Sequence, residues 1–193
     1  MSQQTVKEAV LATVEAIQND AAVAKVQYQA KTQWEEDVRC TATVRDFEPM
    51  VIDEPAAFGG GDSAMSPADV VLVALGTCQE IMYVALASTM DIQLDEVKVE
   101  VNADLDLQGL MGLDSEVPPG LLEMSYDVRI KSPASEEELK RLVDTVENQC
   151  PLLDTLTRSV KVTGKVNFND SVDYVGAGSY LDQRSKQTGS KSN

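Results

Sequence analysis

The chain contains no histidine. A histidine general base, a histidine-activated nucleophile and a histidine metal site are therefore excluded. Cysteine is scarce: Cys40, Cys78 and Cys150 are the only three, and no two have Cys-x-x-Cys spacing. A structural zinc site made from cysteine alone usually needs four ligands. We expect neither a metal nor an organic cofactor. Positive charge is also short, with 16 Lys and Arg against 32 Asp and Glu, a formal net charge of −16. Nucleic acid and anionic membrane surfaces are poor partners for such a chain. No uninterrupted apolar run reaches the roughly 18 residues of a membrane span. The start, Met1-Ser2-Gln3-Gln4-Thr5-Val6, has neither the basic nor the apolar region of a secretory signal. A cytoplasmic location is the expectation, and disulfides there tend to be transient and catalytic.

What remains is enough for one core: 193 residues, 43% of them hydrophobic. Residues 5–19 read as a helix, with Thr5 and Glu8 as a capping box and Val6, Val10, Val14 and Ile17 on one face. Residues 25–33 alternate as a strand, and further strands are expected over 38–44 and near 50–52. Residues 53–67 form a loop. Its Gly59-Gly60-Gly61 run lacks the lysine and the spacing of a phosphate-binding motif. Ser66-Pro67-Ala68-Asp69 is a strong helix start, and the helix runs to about Thr89, apolar nearly all round until Gln79-Glu80.

Residues 94–104 and 122–131 read as strands. The loop between them carries Leu107, Leu110, Met111 and Leu113, and either folds onto the core or forms a lid. Ser135 and Glu138 make a second capping box. Leu139, Leu142, Val143, Val146 and Cys150 follow in helical phase. A last strand is expected over 159–168. Strands are grouped instead of alternating with helices, which predicts an α+β fold with mostly antiparallel sheets. The domain division is 1–24, an N-terminal helical extension; 25–170, the main domain; and 171–193, a polar tail expected to be disordered.

Chemistry without histidine points to thiols. Cys78 lies in the apolar helix and Cys150 on the buried stripe of the later one. Each has a plain reading as a small hydrophobe. Burial alone raises a thiol pKa, so a reactive Cys78 needs a cation beside it. Arg39 and Arg45 are the candidates, both on an expected strand; a solvated strand residue is the plainer reading of Arg45. Asp69 is the nearest carboxylate on the Cys78 helix, and helix capping is its plainer role. Cys40 follows Arg39, points to the opposite face and reads as packing. Whether any two cysteines pair is open, because their α carbons must approach within about 7 Å.

Asp53-Glu54-Pro55, Gly59-Gly60-Gly61-Asp62, Ser66-Pro67-Ala68-Asp69, Leu75-Gly76-Thr77-Cys78 and Cys150-Pro151 form an ordered set. From about residue 25 to 168 the chain resembles the OsmC/Ohr family of osmotically inducible and organic hydroperoxide resistance proteins. The resemblance implies an intertwined homodimer, central helices wrapped by sheets, and active sites at the subunit interface. It implies peroxidase activity in oxidative-stress defence: reduction of an organic hydroperoxide by a peroxidatic and a resolving cysteine, restored by an external dithiol. By position, Cys78 matches the peroxidatic cysteine, Cys150 the resolving one, and Arg39 better than Arg45 the thiolate-stabilising arginine. Asp69 stands where such peroxidases carry a glutamate that orients the arginine. That shorter side chain and the N-terminal helix mark a divergent subgroup. A non-catalytic binding protein or a redox sensor on the same fold are the alternatives.

Overall fold

Two serines start the helices that organise the chain. In the computed structural model, which describes residues 2–168 and 171–176, the elements are α1 (Gln3–Asn19), β1 (Lys31–Glu36), β2 (Arg39–Thr43), β3 (Met50–Ile52), α2 (Pro67–Thr89), β4 (Glu96–Leu105), α3 (Leu107–Leu110), β5 (Leu121–Lys131), α4 (Glu136–Gln149), α5 (Pro151–Thr157), β6 (Gly164–Phe168) and β7 (Ser171–Gly176). The Ser66 hydroxyl accepts from the Asp69 N–H at the start of α2, and the Asp69 carboxylate accepts from the Ser66 N–H in return. Ser135 and Glu138 repeat the exchange at α4. Each box satisfies two backbone donors, one of them among those a helix start leaves over. Every strand pair is antiparallel: β1-β2-β3 form one sheet, β4-β5 a second and β6-β7 a third. The α+β class expected from the sequence is the one observed.

The chain divides into two units, residues 1–153 and 154–193. In the first, Tyr83 and Ala87 of α2 pack with Leu142 and Val146 of α4 and with Ile92. Val97 of β4, with Val128 and Ile130 of β5, lies against this cluster. Gly76 permits the close approach of α2 to β4, because a Cβ there would sit 3.3 Å from a Val101 methyl. The Glu80 carboxylate accepts from the Val99 N–H and ties the helix to the strand backbone. α2 is long and apolar enough to cross a membrane by length and composition alone. Its contacts with α1, α4 and β4 are those of a core helix instead. In the second unit, β6 and β7 form an antiparallel hairpin.

Several sequence expectations move. α1 starts two residues earlier, capped by Ser2 and not by Thr5, because the Ser2 hydroxyl reaches the Thr5 N–H. Residues 25–30 carry the expected alternation but are in no strand. The pairing begins at Lys31, opposite Thr43; Val26 and Tyr28 are exposed. Arg45 falls beyond the end of β2, at a positive φ of 51°. Leu107, Leu110, Met111 and Leu113 are all exposed, so that loop is not folded onto the core. Residues 171–176, placed in the polar tail, pair with β6 instead. The rest of the expected tail, 177–193, lies outside the described residues.

The loop before α2 is fixed by one carboxylate. Asp53 is buried and accepts from the Glu54, Gly61 and Ser63 N–H groups and, at 2.6 Å, from the Ser63 hydroxyl. Gly60 lets the loop close: a Cβ there would fall 1.8 Å from the Glu54 carbonyl oxygen. The Ser63 hydroxyl and N–H, with the Glu54 and Gly61 N–H groups, hold the Asp53 pKa far below the usual carboxylate range. A depressed folded pKa stabilises the fold above the unfolded value and loses that contribution as pH falls through the folded one. Asp53→Asn is therefore expected to lower Tm at pH 7. The gap to wild type should narrow only once pH drops below about 4. Thermal melts across that range would show a pH-independent gap if the carboxylate charge has no such role.

Candidate active site

The α2–α4 contact places two cysteines together. Cys78 sits one turn before Met82 and Tyr83 on α2. Cys150 sits one turn after Val146 and caps α4, giving its N–H to the Val146 carbonyl. Pro151 follows, so Cys150 takes the extended backbone that a residue before proline prefers, and α5 starts at once. The Cys150 and Cys78 sulfurs lie 3.6 Å apart, in hydrogen-bond contact as thiols. A disulfide needs about 2.05 Å, a distance that small side-chain rotations can close. Cys150 is fully buried and Cys78 half-buried. Cys78 is thus the thiol that an incoming molecule meets first.

Burial pushes the Cys78 thiol pKa up; the Leu152 N–H opposes this, and the Cys150 thiol adds to it. Neither Arg39, Arg45 nor Asp69 figures among these influences. Arg39 is exposed at the start of β2 and makes no ion pair among the described residues. Arg45 stacks on the Phe47 ring, 4.5 Å from its centre, which leaves Arg39 the freer of the two. The Asp69 carboxylate is held by the Ser66 N–H and hydroxyl, each at 2.8 Å. Those bonds lower its pKa. Its visible work is capping. Cys40 pairs across the sheet with Trp34 and Ile52.

The sequence gave no sign of a second polar group beside the sulfurs. Gln79, read there as the start of the polar end of the helix, is fully buried. Its amide nitrogen and oxygen make no hydrogen bond of normal geometry. It lies near enough to the Tyr126 hydroxyl to hold that group's pKa down against burial. Tyr126 also donates to the Glu147 carboxylate at 3.3 Å. Tyr83, buried mainly on the same side, has its pKa pushed up to about 12 by burial and by Glu147, Tyr126 and Cys150. The helical offsets, Gln79 to Tyr83 and Glu147 to Cys150, could have revealed these shared faces.

A family model described as OsmC-like protein matches residues 59–165, more than half of the chain. Both cysteines fall inside the match. No curated protein matches. Among solved structures, an OsmC-like protein from Mycoplasma pneumoniae is 23% identical with a TM-score of 0.60, covering 68% of this chain and 88% of that one. An organic hydroperoxide resistance protein from Elizabethkingia anophelis is 15% identical with a TM-score of 0.54, covering 69% and 91%. One from Legionella pneumophila is 16% identical with a TM-score of 0.51, covering 69% and 92%. At these identities the likeness is one of fold.

The exposures order the thiols. Native alkylation should modify Cys40 and Cys78 before Cys150, and Cys150 should react only as the fold opens. Under a mild thiol oxidant the disulfide should join Cys78 to Cys150. Peptide mass spectrometry that finds Cys40 in the bridge would contradict the described contact.

Proposed function

The chain belongs to the OsmC-like protein family, and we propose that it is a thiol-dependent peroxidase that reduces organic hydroperoxides. The observation that carries the proposal is the 3.6 Å approach of a half-buried and a fully buried cysteine from different helices. Cys78 as thiolate attacks the outer peroxide oxygen. The O–O bond breaks, the alcohol leaves after taking a proton, and Cys78 becomes a sulfenic acid. Cys150 then displaces the hydroxyl as water and forms the disulfide. An external dithiol restores both thiols by exchange. These steps use sulfur alone and route nothing through a metal or an organic cofactor. The proposed setting is cytoplasmic oxidative-stress defence.

Thiolate chemistry demands a cation, and burial in one chain works against it. The second element of the proposal is therefore a homodimer, in which another copy covers α2 and brings an arginine to Cys78. Two observations support it. Only 28% of the most apolar stretch of α2 is buried in the single chain, and Val73 and Ile81 of that helix are 46% and 67% exposed. Arg39 is exposed, and its guanidinium stays charged in a dry site. Covered by a partner, this apolar surface would favour a hydrophobic peroxide. Asp69 would orient the arginine only by sharing its capping carboxylate; Oδ2 takes both itemised Ser66 hydrogen bonds.

Cys78→Ser is expected to abolish peroxide consumption, while Cys150→Ser completes one turnover and accumulates sulfenic acid at Cys78. Rapid-mixing with a stoichiometric alkyl hydroperoxide, followed by mass spectrometry, distinguishes the two. Wild-type thiols left unmodified after long exposure would favour a binding protein on this fold. Arg39→Ala should move the pH profile of Cys78 alkylation upward in the dimer. An unmoved profile would exclude Arg39 as the thiolate's partner.

A further inference from the structure

Behind the paired sulfurs lies a polar cluster that the reaction above leaves unused. Gln79 and Tyr83 stand one turn apart on α2, Tyr126 comes from β5, and Glu147 stands one turn before Cys150 on α4. Gln79 is fully buried with both polar atoms lacking a normal hydrogen bond. A buried amide left this way is expensive and is retained where something must be held. Tyr126 links the buried side to the exposed one: it lies beside Gln79 and donates to Glu147 at 3.3 Å. Glu147 is exposed and exchanges protons with solvent.

We propose that Gln79, Tyr126 and Glu147 position the Cys150 thiol and accept its proton as it closes the disulfide. The proposal deepens the two-cysteine reading and rests on it. When Cys150 attacks, its S–H bond and the bond from Cys78 to the departing group break, and the S–S bond forms. From a sulfenic acid the departing hydroxide takes a proton and leaves as water. The thiol proton goes to the Tyr126 oxygen as Tyr126 passes its own to Glu147, which releases it to solvent. Gln79 holds the tyrosine hydroxyl in line. The ionisable groups that face Cys150 are Cys78 and Tyr83 from α2, Tyr126 from β5 and Glu147 from its own helix. Burial and the other groups of this cluster keep both phenols protonated, as a relay from a thiol to a carboxylate requires.

The test uses no peroxide. Full-length protein carrying Cys40→Ser is treated with 5,5′-dithiobis(2-nitrobenzoate). The first thionitrobenzoate reports attack at Cys78, and the second reports its displacement by Cys150. Glu147→Gln and Tyr126→Phe should slow the second release about tenfold and flatten its rise with pH, leaving the first unchanged. Glu147→Asp should recover part of the rate, and Asp144→Asn on the same helix should match the parent. A second release unchanged or faster in Glu147→Gln overturns the proposal, since a carboxylate that only repels the thiolate gives that result. Normal release in a parent protein that consumes no peroxide would sink the peroxidase reading alone. A parent with no second release would sink both.

Discussion

The packing of α2 on α4 is the contact from which the rest of the site follows. Tyr83 and Ala87 meet Leu142 and Val146, and each helix then carries one cysteine about a turn away from that contact. Sulfur separation is therefore set by side chains of the core and not by a loop. Interiors packed to crystal density transmit small changes in volume. A cavity at Leu142 or Val146 would act on the distance between the sulfurs as well as on stability. Gly76 belongs to the same constraint, because it sets how closely β4 approaches the helix that carries Cys78.

Electrostatics oppose the chemistry within one chain. The half-buried Cys78 thiol is pushed up by burial and by a neighbouring thiol, and only the Leu152 N–H works the other way. A net charge of −16 makes the average surface potential unfavourable to a thiolate. One well-placed guanidinium outweighs that background, because it acts at short range in a medium of low dielectric. The same helix has an apolar face open to solvent at Val73 and Ile81. Missing cation and missing cover lie on one element. A second copy of the chain would supply both in one association, without a separate activating partner.

Much of this was legible from local chemistry. The serine boxes at Ser66 and Ser135 fixed both helix starts, and the helical period placed Cys150 on the buried stripe of α4. Errors came where partners decide. The alternation of residues 25–30 implied a strand, but a strand needs a ladder, and pairing starts only at Lys31. Thr5 fitted a capping box, yet Ser2 lay three residues upstream with a free hydroxyl. Arg45 continued a strand pattern that a left-handed turn had already ended. Gln79 was the most consequential case. In a linear reading an amide beside Glu80 marks a polar face, and only the β5 strand, some forty residues away, shows that it is enclosed. The residue roles at the site were legible only through family resemblance.

The buried amide and the buried thiol are best understood together. An isolated Cys150 in an apolar core would be inert, since nothing there could stabilise or receive its proton. Replacing Gln79 by a hydrophobe of similar volume would be expected to help stability, because unpaired buried polar groups cost roughly 1–3 kcal/mol each. The chain instead keeps an amide, two phenols and a carboxylate on the side of the core where the less accessible sulfur lies. Cys78 can take its cation from outside the chain. Cys150, at full burial, cannot, and so its help has to be carried inward on the chain's own helices and strand.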